Sequence, residues 1–198
     1  MIVQQVFDTV SRQIARLQKM PDHPRKAALA ELRRGVGHVP GELPELWGSF
    51  LQEMPPDFFS QSGEPTAAEW AVYSALTLFA LHQQGQEKPM WAPKIGLGKA
   101  VRRLSDKKGE EPEESGAYRR FCALITAGSM EEVSHHLRGL IQLLRSESLP
   151  LDYPQLARDL YLFQFADSAP RVKLRWGQDY FSQPKDSIDE LEKEDHDE

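Results

Sequence analysis

Residues 70–86 hold no charged side chain, and this stretch limits the fold more than any other feature of the chain. Just before it stand Thr66, Ala67, Ala68 and Glu69, the pattern of a capping box, in which the two polar side chains each satisfy an amide at a helix start. The helix so opened runs to about Gln84 and is apolar on most faces. Such a helix has to be buried at the centre of other elements. It does not qualify as a membrane span, because it contains Ser74, Thr77 and His82 and is shorter than the ~20 apolar residues a span needs.

The rest of the chain supplies the packing partners. Val3, Val6, Phe7, Val10, Ile14 and Leu17 recur at three and four, the period of an amphipathic helix. A second helix is expected from about Pro24 to Arg34, with Ala28, Leu29 and Leu32 inward and Gly35 and Gly37 ending it. Leu46, Trp47, Phe50 and Leu51 suggest a short helix, stopped by Pro55 and Pro56. Further helices are expected over residues 98–104 and 117–127. Another follows a second capping box at Ser129 and Glu132, with Val133, Leu137, Leu140, Ile141 and Leu144 inward. The last two span 154–164 and 170–181, each with proline near its start, where it is tolerated. Residues 106–115 are charged and contain Pro112, and are expected to form a mobile loop. Strand alternation with hairpin turns is missing. The expected fold is all-α: a compact bundle of about eight helices, or two packed helical lobes.

Hydrophobic residues make up 40% of the 198, enough for a real core. The lone Cys122 excludes an internal disulfide framework and a Cys-rich zinc site, and fits a reducing compartment. The N-terminus lacks the basic and apolar regions of a signal peptide, so a cytoplasmic protein without membrane contact is expected.

The net charge of −6 hides an uneven distribution. Residues 185–198 carry eight acids and two lysines, which alone account for −6. That segment has too few apolar residues to pack and is expected to be a disordered tail, behind a helical domain of residues 1–184. The body is neutral, with 22 bases and 22 acids. Yet residues 12–34 hold seven bases against two acids, and a polyanion feels local potential rather than net charge. A mixed-charge solvated surface is the plainer account of the same counts.

Catalytic and metal motifs fail on spacing. His135 and His136 are adjacent, so on a helix they point about 100° apart and cannot share one ion. Cys122 lies between Phe121 and Ala123 in what reads as core, where free cysteine acts as a small hydrophobe. Gly96, Gly98 and Lys99 lack phosphate-loop spacing. Glu131 and Glu132 sit at a helix start, where capping and the helix dipole account for them. No cofactor is indicated. What remains is basic residues at helical spacing. Lys99, Arg102 and Arg103 share one face. Lys26, Arg33 and Arg34 line another helix. Arg138 and Arg145 stand two turns apart, Arg119 and Arg120 open a helix, and Arg171, Lys173 and Arg175 crowd the last one. Guanidinium forks suit phosphate oxygens, and helical rows can follow a backbone.

Several blocks then occur in a familiar order. Leu32, Arg33 and Arg34 precede the turn Pro40-Gly41-Glu42-Leu43 and Trp47. Then come Ile95-Gly96-Leu97-Gly98-Lys99-Ala100 and Tyr118-Arg119-Arg120-Phe121-Cys122-Ala123-Leu124-Ile125. His136-Leu137-Arg138-Gly139-Leu140-Ile141 follows, then Leu151-Asp152-Tyr153-Pro154 running on to Leu160, and Val172-Lys173-Leu174-Arg175-Trp176-Gly177. In these blocks, which span about residues 25–181, the chain resembles the CasB family, the small subunit of the type I-E CRISPR surveillance complex called Cascade. The resemblance implies an all-helical, non-enzymatic subunit of a ribonucleoprotein in antiviral defence. Two copies would lie head to tail beside the CasC backbone on the CRISPR RNA, in a complex with CasA, CasD and CasE. They would stabilise the R-loop by holding the displaced single strand of target DNA. By matching position it implies nucleic-acid contacts from Arg33, Arg34, Lys99, Arg119, Arg120, Arg138 and Arg158. Arg102 and Arg103 extend the row of Lys99. Family members can carry two arginines around Arg138, where this chain has His136 and Gly139. Arg158 stands among Leu156, Leu160 and Leu162 beside Asp159, so a carboxylate partner within the core and a DNA phosphate are equal readings. A helical adaptor binding only protein, with Trp47, Trp91 and Trp176 as interface anchors, is the alternative.

Overall fold

The computed structural model describes residues 2–109 and 111–182. Among these, nine α-helices and no strand are present, so the chain is all-α. They are α1 (Ile2–Lys19), α2 (Asp22–Arg34), α3 (Trp47–Phe50), α4 (Ala67–His82), α5 (Leu97–Lys107), α6 (Gly116–Ile125), α7 (Met130–Ser146), α8 (Tyr153–Phe163) and α9 (Ala169–Phe181). The acidic segment 185–198 and the boundary of the helical domain at 184 lie outside the described residues.

Fourteen of the sixteen residues of α4 are buried, so this helix has no solvent face. The capping box at its start is complete. Thr66 Oγ1 accepts from the Glu69 amide at 3.1 Å, and Glu69 accepts from the Thr66 amide at 2.7 Å. Helices α1, α2, α7 and α8 surround it. Helices α5, α6 and α9 form a second group, joined to the first through α7 and α8. One continuous apolar core runs through both, from Val6 to Tyr180. Each large aliphatic side chain in it contributes about 1.5–3 kcal/mol by leaving water.

Some local expectations need correction. Helix α5 continues through Lys107, so the loop after it is shorter than its charge suggests. That loop is also pinned: Tyr180 Oη donates to the Pro112 carbonyl at 2.6 Å, and the hydroxyls of Ser115 and Ser105 meet at 2.8 Å. At α7, Ser129 caps the Glu132 amide, but the Glu132 carboxylate takes the Gly128 amide at 2.7 Å, so the second box closes one residue early. Cys122 is only half-buried, on the flank of α6 beside Tyr118, because Phe121 and Leu124 hold that helix's inward positions.

Candidate nucleic-acid interface

Helices α2 and α7 both pack on α4, and this brings their arginines together. Arg33, in the last turn of α2, is half-buried. Burial first, and then the Arg145 guanidinium, lower its pKa from the usual arginine value. Arg145, in the last turn of α7, is anchored on the C-terminus of α4. Its Nη1 donates to Gln84 Oε1 at 2.9 Å and to the Leu81 carbonyl at 3.5 Å. Two turns earlier, the exposed Arg138 reaches Gly37, with Nη1 3.8 Å from where a side chain there would begin. Arg33, Arg138 and Arg145 therefore gather along the seam between α2 and α7. None of the three forms an ion pair with a carboxylate among the described residues. Arg34 is exposed at the same end of α2.

The remaining basic residues stand apart from this seam or are already engaged. Lys99 and Arg103 are exposed on α5, whereas Arg102 on the same face is tied to Asp106 at 2.7 Å. Lys107 joins the C-termini of α5 and α7, donating to the Glu147 carbonyl at 2.7 Å. Arg119 and Arg120 are exposed in the first turns of α6. Arg25 is paired with Asp22.

Arg158 does not have the carboxylate partner that one of its two readings expected. It is half-buried, its Nε is enclosed without a partner, and it makes no ion pair among the described residues. The carboxylate beside it, Asp159, is taken by other donors: Arg175, Trp176 Nε1 at 2.7 Å and Gln155 Nε2 at 2.6 Å. So Arg175, one of the basic residues crowding the last helix, is held as a structural counterion. Burial still pushes the Asp159 carboxyl up to about 6, against the pull of Arg175.

The tryptophans proposed as anchors divide. Trp176 is fully buried and half-buried Trp91 has an enclosed Nε1, while Trp47 is 49% exposed. Trp47 is held in place, since its Nε1 donates to the Gly41 carbonyl at 3.1 Å. His135 and His136 meet edge to face at 5.5 Å. Among the described residues no group of three or more His, Cys, Asp or Glu is placed to hold a metal ion, and no helix is long and apolar enough to cross a membrane.

Beside the seam, α1, α2, the end of α4 and the turn after it enclose a cleft of about 690 Å³. Arg33 lies on its wall. Sequence spacing gave no signal for this cleft, because its walls come from three separate segments.

Comparison with known proteins agrees with this architecture. CasB from Thermobifida fusca is 31% identical, covering 91% of this chain and 98% of that one, with a TM-score of 0.68. CasB from Thermus thermophilus is 21% identical over 90% and 97% of the two chains, with a TM-score of 0.63. A chain of a CRISPR RNA-guided surveillance complex is 23% identical over 98% and 99%, with a TM-score of 0.66. The last two likenesses are of fold. A comparison with curated proteins gave no match. The model of CRISPR-associated protein Cse2 matches residues 28–181, most of the chain, and with the Thermobifida relative this establishes that the chain belongs to the Cse2 family.

Proposed function

We propose that the chain is a non-catalytic small subunit of a type I-E CRISPR surveillance complex, where it binds nucleic acid electrostatically and stabilises the R-loop by holding the displaced DNA strand. The observation that carries this reading is the gathering of Arg33, Arg138 and Arg145 along one seam with no carboxylate partner. Membership of the Cse2 family supports the setting. Guanidinium groups neutralise phosphates without reading bases, which suits a strand of any sequence. Exchange of DNA duplex for RNA–DNA heteroduplex is nearly balanced, so a few backbone contacts tip it. The partners are then the CRISPR RNA with CasA, CasC, CasD and CasE, a second copy of the chain, and the displaced single strand, in the cytoplasm.

The test is to co-express the chain with its genomic neighbours and follow R-loop lifetime against salt. With about four phosphate contacts, the logarithm of affinity for the strand falls with the logarithm of salt at a slope near −3. Arg33→Glu with Arg138→Glu is expected to shorten R-loop lifetime and flatten that slope, with the complex still assembled. A wild-type lifetime in the double variant overturns the reading.

The fixed, exposed Trp47 favours a second reading, a purely protein-binding adaptor. Retention of single-stranded DNA by the purified chain at moderate salt separates the two.

A further inference from the structure

The cleft between α1, α2 and the end of α4 sits where the arginine seam ends. Its floor is apolar: Leu17, Leu29 and Phe79 line it and are almost fully buried beneath it. Its rim is polar. The side chain of Gln18 on α1 makes no hydrogen bond among the described residues, so its amide has both a donor and an acceptor to offer. Gln84 spends its carbonyl oxygen on Arg145 and keeps its NH2 group to donate. The loop forming the far wall is fixed rather than loose. Gln83 donates to the carbonyls of Gln86 and Lys88 at 3.1 and 3.0 Å and accepts from the Met90 amide at 2.9 Å. Of the two acids in the lining, Asp22 is engaged by Arg25, which leaves Glu87 on the outer loop. Arg33 faces the cleft as a cation without a counterion.

We propose that this cleft receives one unstacked nucleobase of the displaced strand, with the adjoining phosphate on Arg33. The inference rests on the strand-holding reading above and adds where a base goes. Three features select this occupant. The volume lies within the ~300–1,000 Å³ of small-ligand sites, ample for a single nucleoside. An apolar recess with amide groups at its rim suits a base, whose faces are apolar and whose edges hydrogen-bond. The mouth continues a row of arginines without carboxylate partners, and a cationic groove that follows the backbone is how single strands are held without sequence preference. Gln18 presents a donor and an acceptor and Gln84 a donor, so rotation of the Gln18 amide lets the rim meet purine or pyrimidine edges.

Gln18→Trp fills the cleft without changing charge. In the full complex carrying this variant, R-loop lifetime is expected to fall at least about 5-fold, the loss of one seated base, at an unchanged salt slope. Displaced strands with a single abasic site, moved one position at a time, supply the second measurement. At one register, loss of the base shortens the lifetime of the wild-type complex and has no further effect on Gln18→Trp. A benzophenone side chain at position 18 covers the case where the tryptophan blocks assembly, and is expected to crosslink to the displaced strand at that same register. Wild-type lifetime in Gln18→Trp, or abasic sites without effect at every register, overturns the base pocket. If Arg33→Glu with Arg138→Glu shortens lifetime in the same assay, the base pocket alone falls. If that variant also behaves as wild type, strand holding falls with it.

Discussion

Two buried side chains make opposite demands on pH. His82 is fully buried with Nδ1 2.8 Å from Tyr153 Oη, and burial pulls its pKa down to about 4. Its folded value lies below the unfolded ~6.5, so its contribution is present above that pH and is lost as pH falls toward 4. Asp159 is the reverse case: its folded value of about 6 lies above the ordinary aspartate range, so its contribution is present at low pH and is lost as pH rises through 6. Between pH 7 and 5 each amounts to about 1–2 kcal/mol, and they nearly cancel. Urea unfolding across that window should therefore tilt in opposite directions in two variants. His82→Phe becomes relatively more stable toward pH 5, and Asp159→Asn relatively less. Parallel profiles in all three proteins would show that neither group is perturbed by its surroundings. Burial is the largest cause of both shifts, the Arg145 guanidinium adds to it at His82, and no spacing rule reveals either. The sequence shows Asp159 next to Arg158, yet its ion-pair partner arrives from α9, sixteen residues on.

At the scale of elements, two glycines in similar sequence blocks have different reasons to be glycine. A Cβ on Gly98 would stand 2.1 Å from the Trp176 carbonyl oxygen, because α5 and α9 cross there backbone to backbone. A Cβ on Gly139 in α7 would meet nothing within 4 Å. Gly98→Ala is expected to lose at least about 1–3 kcal/mol by overpacking, and Gly139→Ala to gain about 0.5–1 kcal/mol of helix propensity. Denaturant midpoints of the two variants check both signs, and equal shifts would contradict the close crossing. Helix existence was legible from apolar spacing and from two caps, Thr66 and Ser129; the caps made by Ser115 and Asp152 emerge only in the structure. Helix lengths were less legible. Residues 106 and 107 read as loop from their charge, yet α5 continues through them, since buried Ser105 reaches Ser115 and Tyr180 while Asp106 and Lys107 face water.

For the whole molecule, a single core implies a single unfolding transition. Helices α7 and α8 touch both the α4 group and the α5–α9 group, so neither group can lose its packing without exposing the other. Helix content by circular dichroism and tryptophan fluorescence are expected to report the same denaturant midpoint. Trp70 sits in α4 and Trp176 in α9, so emission follows both groups. Two separated transitions would instead establish independent lobes, the alternative that the sequence left open. Charge is organised at this scale as well. The body is neutral in sum, but its cations differ: Arg25 and Arg102 are neutralised by carboxylates one turn away on their own helices and Arg175 by Asp159 of α8, while Arg33, Arg138 and Arg145 form no ion pair among the described residues.

By itself the sequence determined the helices, the central place of α4 and the family. The helices and the place of α4 follow from the 3.6-residue period, from capping chemistry and from an uncharged stretch too apolar to face water and too short to cross a membrane; the family follows from the order of the sequence blocks it shares with its relatives. Tertiary structure decided which basic residues form a surface and where a cleft opens beside them. Spacing along one helix says which residues share its face. It carries no information about which neighbouring helix supplies a counterion. The meeting of Arg33 with Arg145, and of Arg175 with Asp159, is fixed only when α2 and α7 pack on α4 and α9 packs on α8.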